Sequence, residues 1–238
     1  MNFIEYPSAW DHPPTRRAWR RRGLMVILGL MGWPIAWFGM LYVLISFLSQ
    51  RFIFLFLPPL CYAFYRSALQ IFQVALLFRI RSVIREYSWH VLSKVRCGID
   101  EHPEAEDKGI WIELPEPSSR SGAGIPLVFV KHHRAFWWLR RIGGPRTKPA
   151  LKAQLEPLWF AGDPRFLGVV AVSSRDGKAP RRLHFLYQPS AFDEHAPRRS
   201  WEGVDPADLE RARRAGARFV DAVPPAVSGT RGNEGAGT

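Results

Sequence analysis

The densest run of chemistry-bearing side chains is KHHRAFWWLRRIGG, residues 131–144. It joins two neighbouring histidines, four Lys/Arg and the aromatic trio Phe136, Trp137 and Trp138. Paired histidines raise metal ligation first. Adjacent side chains on a strand point to opposite faces, however, and no acid or cysteine stands at ligand spacing, so His132 and His133 make a poor joint metal site. Cationic and aromatic groups together suit the surface of an anionic membrane, or stacking on nucleotides. Trp137, Trp138, Arg140 and Arg141 are the candidate surface-contact residues. The plainer expectation is a strand or turn with Phe136 and one of the two tryptophans in the core.

A second constellation lies inside the most apolar part of the chain. Arg66, Gln70 and Gln73 are separated by four, three and seven residues, which puts them on one face of a helix. A polar stripe on an apolar helix normally meets another helix. It would serve either as cement for that contact or as an intramembrane contact or conduction site. No Asp or Glu occurs in the apolar block to pair with Arg66, which makes a proton relay a poor reading.

Other chemistries leave no local mark. There is no G-x-S-x-G, catalytic-cysteine signature, P-loop or Rossmann glycine pattern. Cys61 and Cys97 have neither CxxC spacing nor a matching histidine pattern, so neither a zinc site nor a disulfide framework is expected. No catalytic residue, metal or cofactor is assigned, and the chain reads as non-enzymatic. The alternatives are a subunit of an oligomeric transporter or channel, with Arg66, Gln70 and Gln73 along a path, and a membrane-bound enzyme. In the latter His132, His133 or His184 would meet acids only in the folded chain.

These groups must be positioned by two kinds of element. Residues 24–48 are 25 residues without a charge, and a bilayer core of roughly 30 Å needs about 20 helical residues. The run is too long for a signal peptide. A second apolar run follows from Phe52 to Phe78, with Pro58-Pro59 offering a break. A span of about 59–79 is the preferred register, which places Arg66 two turns in, near the outer leaflet. Five arginines precede the first run within 16–22, and Arg79, Arg81, Arg85, Lys94 and Arg96 follow the second, whereas the connecting turn holds only Arg51. By the positive-inside rule both termini are cytoplasmic. The expected location is the cell's inner (cytoplasmic) membrane, as a multi-pass protein.

Charge distribution supports this. Residues 1–100 carry 12 Lys/Arg against 4 Asp/Glu, which is +8 of the total +12. Excess charge beside an apolar block points to the lipid bilayer and anionic lipids as partners, and away from nucleic acid.

From about Ser88 short apolar runs alternate with turn signals, which predicts strands near 89–97, 109–114, 126–132, 156–161, 167–173 and 182–188. Asp176-Gly177 marks a hairpin, and Asp163-Pro164 another turn. PALKAQLE, residues 149–156, reads as a short helix or part of a linker. Residues 205–220 read as a helix capped by Asp205. The fold class is thus an α+β membrane protein: a two-helix transmembrane hairpin, then a small β-barrel or sandwich with a C-terminal helix. The strands form either one barrel or two halves split near 142–155. The segments are a basic N-terminal stretch (1–22) with little stable structure in its first 15 residues, a hairpin (23–86), a β-rich domain (87–222) and a disordered tail (223–238).

The hairpin runs GLMVILGLMGWPIAWFGMLYVL and PPLCYAFYRSALQIFQVALLF, followed by a β-rich region and closing helix, resemble bacterial two-span integral membrane proteins with a pleckstrin-homology-like cytoplasmic domain. The segment WFAGDPRFLGVVAV, residues 159–172, is also similar to one in uncharacterised integral membrane proteins of GC-rich bacteria. The first resemblance implies a scaffold or binding role, and the partners expected for this chain are a protein, anionic lipid headgroups or a second copy of the chain. Neither implies catalytic residues.

Overall fold

The computed structural model describes residues 6–47, 53–93, 95–102, 105–115, 124–129, 136–143, 147–174, 176–177, 179–193, 203–218 and 220. Two long helices come first, α1 (Pro13–Phe47) and α2 (Ile53–Glu86). Both are long and apolar enough to cross a bilayer. Prolines at 13 and 14 start α1, where a missing N–H costs nothing. Pro58 and Pro59 do not start α2. They lie inside it, near its first turns, so the helix begins six residues before the preferred span of 59–79.

The two helices run antiparallel. Trp19 donates its indole N–H to the Leu77 carbonyl, Gly23 faces Leu77, Gly29 faces Gln70, Trp33 meets Tyr62, and Trp37 meets Phe64. From Trp19 to Trp33 on α1 the partners on α2 run back from Leu77 to Tyr62, which is the signature of a hairpin.

Seven strands follow: β1 (His90–Leu92), β2 (Arg96–His102), β3 (Ala105–Pro115), β4 (Gly124–Phe129), β5 (Leu158–Asp163), β6 (Leu167–Ser173) and β7 (Pro180–Tyr187). They form one antiparallel sheet in the order β1-β5-β6-β7-β4-β3-β2. The sheet is one unit, not two halves. Its edges, β1 and β2, are consecutive in the chain, and the Leu92 to Arg96 connection spans at most about 15 Å. Seven strands laid flat would hold those edges roughly 29 Å apart. The sheet must therefore curl, and it does so as a half-barrel whose edge strands do not pair, not as a closed barrel or a two-sheet sandwich. The expected strand at 89–97 is broken into these two edges, which makes seven strands of six.

Besides a 3-10 turn at Pro189–Ala191, three short helical pieces and one longer helix complete the described residues. They are α3 (Phe136–Ile142), α4 (Pro149–Lys152) running into a 3-10 turn (Ala153–Leu155), and α5 (Pro206–Ala215). Asp205 caps α5 by accepting from the Ala207 N–H at 2.8 Å, and Gly216 ends it at φ 111°. The expected continuation to residue 220 therefore stops at the left-handed glycine.

Each face of the sheet has its own core. The inner face packs Ile112, Leu114, Leu127, Phe129, Phe160 and Leu186 against Trp138 and Ile142 of α3. The outer face packs Trp159, Val169, Ala171, Leu183 and Phe185 against Leu76, Ile80, Val83 and Ile84 of α2, against Tyr87 just beyond it, and against α5. The last three turns of α2 are thus core elements of the sheet unit, so the boundary at residues 86 and 87 divides one packed body.

Residues 6–12 also join that body, contrary to the expectation of little structure there. The Ala9 N–H donates to the Tyr87 carbonyl and the Trp10 N–H to the Ile84 carbonyl, capping the C-terminal end of α2. His12 stacks on Trp159, and Trp89 donates its indole N–H to the Thr15 hydroxyl.

Candidate functional site: an arginine–tryptophan cluster beside an apolar belt

Exposed large hydrophobic side chains are not scattered over this protein. On the helices they run from Leu24 to Phe47 on α1 and from Phe54 to Phe78 on α2. Elsewhere, among the described residues, only Val91 and Leu139 belong to the set. Beyond Phe78 the apolar residues of α2 are buried by the sheet. Each exposed stretch is about 36 Å long as a helix. The apolar surface is therefore a belt with a sharp lower rim, set by Gly23 facing Leu77.

Strand β7 lies along that rim. Arg22, two residues before the belt, donates to the Leu183 carbonyl near the start of β7. Arg79, one residue past the belt, lies 5.7 Å over the ring of Phe192, which itself packs edge-on against Phe185 and Tyr187 of β7. One strand thus bridges the feet of both helices.

The start of β7 carries the cluster. Val170 of β6 pairs with His184 and Val172 with Arg181, so two residues of β7 oppose the single Ala171. This is a β-bulge, and within it Arg182 sits at φ 55°. Its guanidinium carbon lies 4.5 Å from the centre of the Trp137 ring, and that of Arg141 lies 3.8 Å from the same ring. Arg141 is steadied by Gln154, whose side-chain oxygen accepts from its Nε at 2.8 Å, and by the Trp137 carbonyl. Burial, then the neighbouring Arg140, pulls the Arg141 pKa down; burial, then Arg141 and Arg181, does the same to Arg182.

The structure divides the four expected surface residues. Trp137, Arg140 and Arg141 lie on the outer side of α3, with Leu139 beside them at 37% exposure. Trp138 does not. It is 2% exposed and packs on Phe129 and His184 inside the half-barrel, so it is a core residue. The segment forms a helix and not a strand, which sends consecutive tryptophans to different sides. Sequence reasoning missed Arg182. Its only signal was the Arg-Arg pair after the β6–β7 turn, and the bulge that redirects it has no sequence mark. His132 and His133 lie outside the described residues.

Arg66, Gln70 and Gln73 do share a face, and that face meets α1. Gln70 and Gln73 are buried. The Gln70 carboxamide rests on Gly29, where a side chain would collide with it. Arg66 lies over Trp33 at 5.3 Å and Tyr62 at 6.0 Å. It stands 12 residues from either end of the exposed stretch of α2, at the middle of the belt and not toward its far end.

Two further features were not foreseen. The β5–β6 turn holds Arg165 in a fork with Asp163 (2.6–3.1 Å), and the same guanidinium reaches Asp208 of α5 at 2.7 Å. The pair of carboxylates holds the Arg165 pKa above its ordinary value. Between α3 and strands β2 and β3 there is a cavity of about 410 Å³, with Cys97, Trp111, Trp138 and Leu158 in its walls and Arg96, Lys152 and Glu156 among its polar groups. Burial raises the Cys97 thiol pKa, which disfavours a reactive thiolate. His184 is buried against Phe129 at 4.8 Å. Among the described residues no group of three or more His, Cys, Asp or Glu is placed to hold a metal ion.

No protein-family model matches the sequence, and no curated protein and no solved structure is measurably similar to it.

Proposed function

We propose that this chain is an integral membrane protein whose half-barrel domain works as a non-enzymatic scaffold or binding module at the cytoplasmic face of the bacterial inner membrane. In this reading α1 and α2 cross the bilayer as a hairpin with both termini cytoplasmic, and the sheet domain contacts a protein partner or anionic headgroups. The observation that carries the reading is the gathering of exposed large hydrophobics, all but Val91 and Leu139 among the described residues, in one belt. Such a surface on a soluble monomer would be an aggregation hazard, whereas its height matches a bilayer core of roughly 30 Å. Arginines at 16, 17, 20, 21, 22, 79, 81 and 85 flank the rim on the side of the sheet domain, as the positive-inside rule asks.

A conducting path along Arg66, Gln70 and Gln73 is disfavoured, because that face is used against α1 within one chain. A module that binds is also what the resemblance to two-span membrane proteins implies. The test is extraction of native membranes at alkaline pH, followed by purification in mild detergent and mass measurement of the complex. The chain should stay in the membrane pellet and purify with a stoichiometric partner or bound anionic lipid. Release into the soluble fraction would overturn the anchor, and a bare monomer without partner or lipid would overturn the binding role.

A further inference from the structure

We propose that Arg141 and Arg182, stacked on Trp137, bind the phosphate of a lipid headgroup, and prefer a phosphomonoester to a phosphodiester. The inference rests on the membrane reading above and adds to it a ligand and a site.

Charge is the first argument. Neither arginine is paired with an acidic side chain among the described residues, although they share one indole ring. Two guanidinium groups held together without a counter-ion repel each other, and an anion between them removes that cost. Burial first, then the charges of Arg141 and Arg181, lowers the proton affinity of Arg182.

Geometry is the second. The two guanidinium carbons are no further apart than the sum of their distances to the ring centre, 3.8 and 4.5 Å. That bound is about twice the roughly 4 Å carbon-to-phosphorus distance of a charge-assisted guanidinium–phosphate contact, so the proposal places one phosphate beside the Trp137 ring, bridging the two groups. Arg141 has its Nε and Nη1 held by Gln154 and by the Trp137 carbonyl, which orients the group and leaves Nη2 to donate. Arg182 makes no hydrogen bond among the described residues. Its φ of 55° is the one positive value at a non-glycine residue among them, a conformation that costs a side-chain-bearing residue and here aims its guanidinium at Trp137.

Position is the third. Arg182 adjoins Leu183, whose carbonyl is held by Arg22 at the rim of the apolar belt. Trp137 and the exposed Leu139 flank the pair, and an amphipathic indole beside an apolar side chain is at home at headgroup depth. Finally, a phosphomonoester carries close to two negative charges at neutral pH, and a phosphodiester one. Two arginines with no acid beside them among the described residues match the former.

The test uses the full-length protein in mild detergent, followed by native mass spectrometry on titration with phosphatidic acid, phosphatidylglycerol or inorganic phosphate. Phosphatidic acid should be retained best. The double variant Arg141→Gln/Arg182→Gln should bind it roughly tenfold or more weakly, while Arg218→Gln, on the segment after α5, should bind normally. Arg182→Gly provides a check on folding: it suits φ 55°, so thermal stability should hold or rise while lipid binding falls. Unchanged binding in the double variant overturns the site. Equal retention of the two lipids overturns the monoester preference, and competition by inorganic phosphate at equal concentration overturns the lipid as its source. Alkaline extraction of the same double variant separates the two claims. Its persistence in the pellet leaves the anchor standing when the site fails, and release of the wild type brings down both.

Discussion

The Arg66 guanidinium carbon lies 5.3 Å from the centre of the Trp33 ring on the facing helix, midway along the apolar belt. A desolvated cation over an indole is worth about 2 kcal/mol, more than at an exposed site. Trp33→Leu and Arg66→Leu should therefore be coupled: a double-mutant cycle read by unfolding in detergent should give an interaction of about 1–2 kcal/mol. Arg66→Leu should leave membrane insertion intact. Simple additivity would mean that the arginine reaches for water and takes nothing from Trp33.

The hairpin makes a second prediction from glycine placement. At Gly29 an added Cβ would come within 2.8 Å of the Gln70 carboxamide, whereas at Gly32 it would meet nothing within 4 Å. Gly29→Leu should loosen the hairpin, costing about 1–3 kcal/mol by overpacking. Gly32→Leu, one turn along and facing out, should be near neutral. Equal effects on thermal stability would show that the helices do not pack in this register.

Removing Arg165 strands Asp163, whose side chain is 8% exposed. Arg165→Met should destabilise the sheet domain by about 3–5 kcal/mol, because the carboxylate is left buried without its partner. Asp208→Asn should cost about 1 kcal/mol or less, since that side chain is 37% exposed and solvent screens the contact. Denaturant unfolding followed by tryptophan fluorescence separates the two, and a reversed order would contradict the clamp.

His12 ties the N-terminal segment to Trp159, and burial lowers its pKa below the ordinary histidine value. The unfolded chain then takes up the proton first as pH falls. The stability His12 contributes is full above its unfolded pKa and is lost as pH drops through the lower, folded value. Melting temperature should fall on acidification through the histidine range, and His12→Gln should flatten that part of the profile. A wild-type melting curve that is level from pH 7 to pH 5 would show that the contact is not coupled to folding.

Much of this architecture is written in apolar periodicity. The two helices, the strand at 167–173, the hairpin at Asp176-Gly177 and the capped helix after Asp205 were legible because each depends on local chemistry: span length, alternation, a turn residue or a cap. What sequence hid depends on tertiary contact. WHVLSKVRC reads as one strand, yet it breaks at Ser93, and its pieces become opposite edges of the sheet. Residues 6–12 look like a loose polar end, and fold only because Ile84 and Tyr87 present carbonyls to them. In the candidate site, Trp137 and Arg141 were visible as a basic aromatic cluster. Trp138 looked like their equal until a helix turned it inward, and Arg182 reached them through a bulge that no local pattern announces.

The central claim is that the belt is a membrane hairpin with both ends on one side. The direct test is cysteine accessibility in intact cells. With Cys61→Ser and Cys97→Ser as background, Arg17→Cys, Ser46→Cys and Asp205→Cys are introduced one at a time and treated with a membrane-impermeant maleimide. The account predicts labelling at 46 from outside, and at 17 and 205 only after the membrane is opened. Labelling at 17 or 205 in intact cells, or the same response at all three positions, would contradict it.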